Sequence, residues 1–273
     1  MESARFLRPM GLLEIIDQTF RLYRSNFLLF FGIAVVVYLP VAVLQSVPVV
    51  NVVGMVLGPF VTLLASGALA KAVSDRYLGT DTTVSTCYRY IAVRFGAFLL
   101  TLIVTYFFVL TGLVLLLVGA IVFAFWCAFV TQVFVIEGKR SADAIRRSKF
   151  LIGQGVWAQV FVLGLVIGII AYLIVGVLLG MAMLPSLLSG KANVTMLVIG
   201  GVFSGLAQAL IAPVGIVATV LLYYDSRIRK EGFDLQILAQ EMGAQLPPVA
   251  PPSLPPPAPE PPPAPTPPGE SSV

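Results

Sequence analysis

From Phe95 to Ile136 the chain carries no charged side chain. A bilayer core of about 30 Å is crossed by roughly 20 apolar residues in a helix, so this run is long enough to cross twice. A tight hairpin near Thr111 to Leu115, helped by Gly112, divides it. Four more apolar runs have span length: Phe27 to Val47, the stretch after Asn51 up to about Ala70, Val156 to Leu184, and Thr195 to Tyr224. The sequence therefore predicts an all-α polytopic membrane protein with six transmembrane helices. Composition agrees, with 58% hydrophobic and 11% charged residues, where soluble domains carry about a quarter charged. A water-facing globular domain is excluded on these grounds.

The lysines and arginines sort by side. They lie before the first span, between spans two and three, between spans four and five, and after span six; Lys191 alone falls on the opposite side. The positive-inside rule then predicts a multi-pass protein of the cell membrane with both termini cytoplasmic. The net charge of +4 sits beside apolar runs rather than on a soluble module, which points to membrane surface and not to nucleic acid. The first 26 residues mix Glu2, Glu14 and Asp17 with arginines and have no leading apolar run, so no cleaved secretory signal is expected. The chain divides into a cytoplasmic amphipathic helix (1–26), a six-span membrane domain (27–224), a basic segment with a short helix (225–246) and a proline-rich, disordered tail (247–273). The tail contains P-x-x-P matches at Pro252 and Pro259, which suit an adaptor domain or arise by chance in any proline run.

The stretch Leu12 to Tyr38 joins two kinds of helix. Glu14, Asp17, Gln18, Arg21 and Arg24 form one helical stripe, and Leu12, Ile16, Phe20 and Tyr23 form the other; from Phe27 the chain is uncharged. A short amphipathic helix followed by a span recurs at Asp81 to Leu100 and at Ser141 to Val160. The spacing is compatible with three helix-plus-hairpin repeats. The exits of spans two, four and six also correspond: an acid, then basic residues, with a glycine (Gly79, Gly138, Gly232) to cap the helix.

Chemistry-bearing residues are sparse. There is no histidine, no cysteine cluster beyond the isolated Cys87 and Cys127, and no phosphate-cradling loop. No ionisable residue lies within a span core, which argues against proton coupling. The edge acids pair with arginines at helical spacing, Asp17 with Arg21 and Asp143 with Arg147. No catalytic residue, metal or cofactor is expected. Arg21, Arg24, Arg89, Arg146, Arg147, Arg227 and Arg229 are the candidate contacts to anionic lipid or to a partner protein. Gln208 and Pro213, mid-span and helix-breaking, are candidates for lining a cavity; the other reading is that the glutamine bonds a neighbouring helix. Rows of small residues at i+4 spacing (Gly54 to Ser66, Ala120 to Ala128, Gly164 and Gly168, Gly176 and Gly180, Gly201 to Ala209) predict close helix packing.

Three stretches, LRPMGLLEIIDQTFRLYRSNF (7–27), ADAIRRSKFLIGQGVW (142–157) and LLYYDSRIRKEGFDLQIL (221–238), resemble the bacterial membrane family named for the glycerophosphoryl diester phosphodiesterase membrane domain. The resemblance covers about residues 7 to 240. It implies a membrane module without the soluble catalytic domain to which such modules are fused, and it supplies no catalytic residues. Together these readings favour a non-catalytic integral membrane module that scaffolds or anchors a partner, or organises lipid at the cytoplasmic face. The alternative is a small transporter or channel for a neutral or amphipathic solute.

Overall fold

The computed structural model describes residues 9–48, 50–114, 116–189 and 194–232. The proline-rich tail, the short helix expected after Asp234, and Lys191 lie outside the described residues. Among the described residues the chain is all helix: α1 (Leu12–Ser25), α2 (Phe27–Ser46), α3 (Asn51–Tyr77), α4 (Val84–Val93), α5 (Phe95–Val114), α6 (Leu116–Trp126), α7 (Val130–Gln132) running into a π-helical turn (Val133–Glu137), α8 (Ser141–Ser189) and α9 (Val194–Glu231). Five helices are long and apolar enough to cross a membrane, and a sixth crossing is made if a bent pair counts as one. The molecule is an all-α, multi-pass membrane protein. Large apolar side chains such as Tyr106, Phe107, Ile169, Tyr172 and Val177 face outward from α5 and α8, as lipid-facing surface does.

The three sequential hairpins α2–α3, α5–α6 and α8–α9 are packed pairs, and α2 also lies against α9. The α2–α9 contact is made by glycine. A Cβ on Gly201 would lie 1.9 Å from Ser46 Oγ, and one on Gly205 would lie 2.9 Å from the Leu39 Cα. The Gly54 and Gly58 row does the same for α3 against Gln45 of α2. The other expected row behaves differently. Gly164, Gly168, Gly176 and Gly180 on α8 have nothing within 4 Å of a built Cβ, so those glycines border open surface.

Three expectations of continuity change. The fourth apolar run is not one helix: it breaks at Cys127–Phe129 between α6 and α7, and the chain then turns by 114° into the start of α8. Phe129 N–H, freed by the break, donates to Ser148 Oγ at 3.1 Å. The turn is made by Gly138 at φ 70° and by Ser141 at φ 46°, a left-handed conformation that costs a non-glycine residue. The Ser141 N–H donates to Thr101 Oγ1 at 3.0 Å, which holds it there. Second, α8 passes unbroken from its basic first turns through the apolar run, whereas α1–α2 and α4–α5 are jointed at Asn26 and Arg94. Third, α8 continues through Pro185 to Ser189 where a loop was expected.

Burial is concentrated at one end. In α9, Val217, Ala218 and every residue from Val220 to Ser226 are buried. Around them pack α1, the C-terminal turns of α3, the π turn and the first turns of α8. Tyr223 and Tyr224 stack edge-to-face, with Phe129 and Tyr77 beyond them. The described lysines and arginines lie on these elements, on α4 with its cap Arg94, and on the loop before α8, so this is the basic end of the molecule.

The glycine contacts give a direct test. Gly205→Val overpacks α2 against α9 and should lower stability by about 1–3 kcal/mol, read as a fall in the thermal midpoint in detergent. Gly168→Val should leave the midpoint unchanged. Equal effects of the two substitutions would contradict this packing.

Candidate lipid and partner interface at the basic end

Two polar clusters lock the basic end. In the first, Arg147 of α8 lies between two carboxylates. Its Nε donates to Glu137 Oε1 and Oε2 at 2.9 and 2.8 Å, and its Nη2 donates to Glu231 Oε2 at 2.7 Å. Arg227 reaches Glu231 at 3.3 Å from one turn back. The Tyr223 hydroxyl donates to Glu137 Oε1 at 2.8 Å, and Lys139 lies 3.2 Å from the same carboxylate. The π turn is what presents Glu137 to this group. Burial alone would raise both glutamates; hydrogen bonds from Arg147, joined by Tyr223 at Glu137 and Arg227 at Glu231, outweigh it and hold both below the usual range. The Arg147 guanidinium is raised in turn: burial opposes its charge, and Glu231 and Glu137 outweigh that.

In the second cluster, Asp225 has no exposed surface. Its Oδ1 accepts the Met10 N–H at 2.7 Å, its Oδ2 accepts from Arg229 Nε at 2.8 Å, and Arg229 Nη2 donates to the Met10 carbonyl at 2.6 Å. This clasp fixes the start of α1 to the end of α9. At the other end of α1, the Tyr23 hydroxyl donates to the Leu210 carbonyl at 2.8 Å, next to the turn where Pro213 supplies no N–H. The two bonds set α1 antiparallel beside α9. Its deepest face is Ile15, Thr19 and Leu22; Ile16 and Phe20 of the expected stripe flank it, and Phe20 is 42% exposed.

The candidate arginines accordingly divide. Arg21, Arg24, Arg89 and Arg146 are exposed on the outside of the basic end. Arg147 and Arg227 are turned inward, at 15% and 14% side-chain exposure, because tertiary carboxylates offer them better partners than lipid. Arg229, at 39%, is held by the Asp225 clasp. The expected Asp17–Arg21 pair forms at 3.0 Å. The Asp143–Arg147 pair does not: Asp143 meets Arg146 at 3.7 Å, and Arg147 leaves it for Glu137 and Glu231. Gln208 donates within its own helix to Ser204 Oγ at 3.1 Å, and Pro213 is buried. Neither lines the cavities described between α1, α8 and α9 or between α2, α3 and α9. Asp75 is paired with Lys71, apart from the Glu137 and Asp225 clusters. Among the described residues no three potential metal ligands gather.

Glu231 and Tyr223 are the members that sequence reasoning missed. Glu231 stands four residues after Arg227, a visible local pair, but nothing local signals its bond to Arg147. Comparison with protein-family models, curated proteins and solved structures found no match to this chain.

Removing Arg147 leaves two carboxylates in a mostly buried site with only the longer contacts to Arg227 and Lys139. Arg147→Met should cost about 3 kcal/mol near neutral pH, measured by thermal unfolding in detergent. Because the glutamate pKa values are depressed on folding, their stabilisation is complete above the ordinary value of 4.5 and is lost as pH falls through the folded values. The gap between wild type and variant should therefore narrow steadily below that pH. A gap that stays constant with pH would contradict the assignment.

Proposed function

We propose that this chain is a non-catalytic integral membrane module of the cell membrane, with both termini cytoplasmic, whose basic end organises anionic lipid or holds a partner at the cytoplasmic face. One observation carries the reading. Three helical segments each present exposed basic residues beside exposed apolar ones: Arg21 and Arg24 with Leu13 and Phe20, Arg89 and Arg94 with Val93, and Arg146 and Lys149 with Phe150. Arginine over an apolar neighbour suits a membrane interface, where the stem lies in the apolar layer and the guanidinium meets phosphate. The inward carboxylates are engaged by arginines, so the charge left on the outside of this end is largely basic. Its sign matches a cytoplasmic leaflet rich in anionic lipid. The resemblance of residues 7 to 240 to a membrane domain that accompanies soluble enzymes supports a supporting role over a catalytic one.

Lipid retention tests this. The full-length protein, equilibrated in neutral detergent with equal phosphatidylglycerol and phosphatidylcholine, should retain phosphatidylglycerol preferentially, as read by mass spectrometry of bound lipid. Combining Arg21→Gln, Arg24→Gln, Arg89→Gln and Arg146→Gln should abolish the preference without lowering the thermal midpoint. Equal retention of both lipids by the wild type would defeat the lipid reading. For orientation, Ala258→Cys in a background lacking Cys87 and Cys127 should react with an impermeant maleimide in inverted vesicles and not in intact cells; the reverse pattern would place the tail outside.

A further inference from the structure

Between α1, α8 and α9 lies a cavity of about 220 Å³ lined by Ile16, Phe20, Ile167, Ile170, Ile174 and Val214, among others. Two hydroxyl side chains border it, and both already have partners. Thr19 donates to the Ile15 carbonyl at 2.7 Å, and Tyr23 donates to the Leu210 carbonyl. The cavity thus offers nothing to water, and a site of this chemistry takes hydrocarbon. It is open to the outside, since Phe20, Ile170, Ile174 and Leu210 of its own lining are exposed.

The position of the cavity along the molecule follows from the bonds that flank it. Met10 is level with Asp225, and Tyr23 is level with Leu210. Arg21 and Arg24, on the same antiparallel helix, therefore stand beside the Leu210–Pro213 turn of α9. Arginines at that level mark where lipid phosphate begins, since a guanidinium is costly in hydrocarbon. From Val194 to Pro213 a helix rises about 30 Å, the thickness of the hydrocarbon layer. The cavity then lies at the boundary, with Phe20 at its wall and Arg24 one turn further along α1, where the two stripes adjoin.

We propose that this cavity receives an acyl chain of an anionic phospholipid from the leaflet at the basic end, with Arg24, and Arg21 beside it, facing the lipid phosphate. The proposal rests on the lipid reading above and narrows it to one site. The occupant is a lipid rather than a protein helix because an apolar space of this volume admits a chain and not a helix, and because the cavity opens onto surface that the bilayer already covers.

The test uses full-length protein in nanodiscs of phosphatidylglycerol and phosphatidylcholine, with a trace of phosphatidylglycerol bearing a photoreactive diazirine on one acyl chain. After irradiation, peptide mapping should find adducts concentrated in residues 16–23 and 163–174 over the exposed α5 segment 100–110, competed by unlabelled phosphatidylglycerol and less well by phosphatidylcholine. Ile170→Trp, which fills the cavity, should remove this enrichment while bulk phosphatidylglycerol retention persists. Arg24→Gln should lower the preference over phosphatidylcholine about five-fold, the effect of one basic residue at a charged surface. Adducts spread evenly over α5 and α8 while phosphatidylglycerol is still retained would overturn the site and leave the broader reading standing. Loss of retention preference in the wild type would overturn both. Persistence of the α1 adducts in Ile170→Trp would overturn the cavity as the place of entry.

Discussion

An arginine held between two glutamates fixes the geometry of the basic end. Arg147 belongs to the first turns of α8, Glu137 to the π turn that precedes it, and Glu231 to the last turn of α9. Without the guanidinium the two acids would face each other across three helix ends that have little access to water. With it, the chain can turn by 114° between the fourth apolar run and α8 and still bring α9 into the middle. Gly138 takes its left-handed conformation because it has no Cβ to oppose it, and Ser141 is held in its own by the bond of its N–H to the Thr101 hydroxyl. The Asp225 clasp ties α1 to the same end of α9.

The unequal density of the structure has a physical cause. Where helices are surrounded by lipid tails, burying apolar side chains against one another gains little, and packing relies on close backbone approach. The Gly201 and Gly205 contact of α9 with α2 is of that kind, whereas α8 leaves its glycines uncovered. At the basic end the alternative to packing is headgroups and water, so apolar burial there is strongly favoured. Tyr223, Tyr224, Phe129, Leu221 and Ile15 are all buried in that region. Tyrosine suits it, because the ring packs while the hydroxyl satisfies a carbonyl or carboxylate, as Tyr23, Tyr88, Tyr90 and Tyr223 each do.

Much of this was legible from the sequence wherever a local rule applied. The apolar runs, the gathering of basic residues at one end and the Asp17–Arg21 pair all follow from period and spacing. The three exit glycines, Gly79, Gly138 and Gly232, all take positive φ, as helix-capping glycines do. What the sequence could not show depended on partners distant along the chain. Helical spacing offers Arg147 the nearby Asp143, and only the fold supplies Glu137 and Glu231. Periodicity gives α1 one broad apolar face, but it cannot say that Ile15 is buried and that Ile16 and Phe20 are left to line a cavity. Nor can it separate a glycine row facing another helix from one facing lipid, since both sides are apolar. The break at Cys127–Phe129 contains neither glycine nor proline and is stabilised from Ser148, again at a distance.

The three short helices differ in how they meet the apolar helix that follows. In the first two, a short helix meets its span at a joint, Asn26 or Arg94, so the short helix can lie apart from the span's axis. In the third the joint is absent, and α8 carries its basic turns in line with its apolar length. That stiffness places Arg147 where α9 ends, which draws α9 inward and makes it the helix that the others surround. The first unit then has its own short helix captured by α9 through Asp225 and Leu210, but a helix of fourteen residues cannot cover both α9 and the neighbouring face of α8. The uncovered remainder is apolar, bordered by arginine and level with the proline turn. An apolar space of that kind beside a bilayer suits hydrocarbon better than water, which is the ground for the acyl-chain site proposed above.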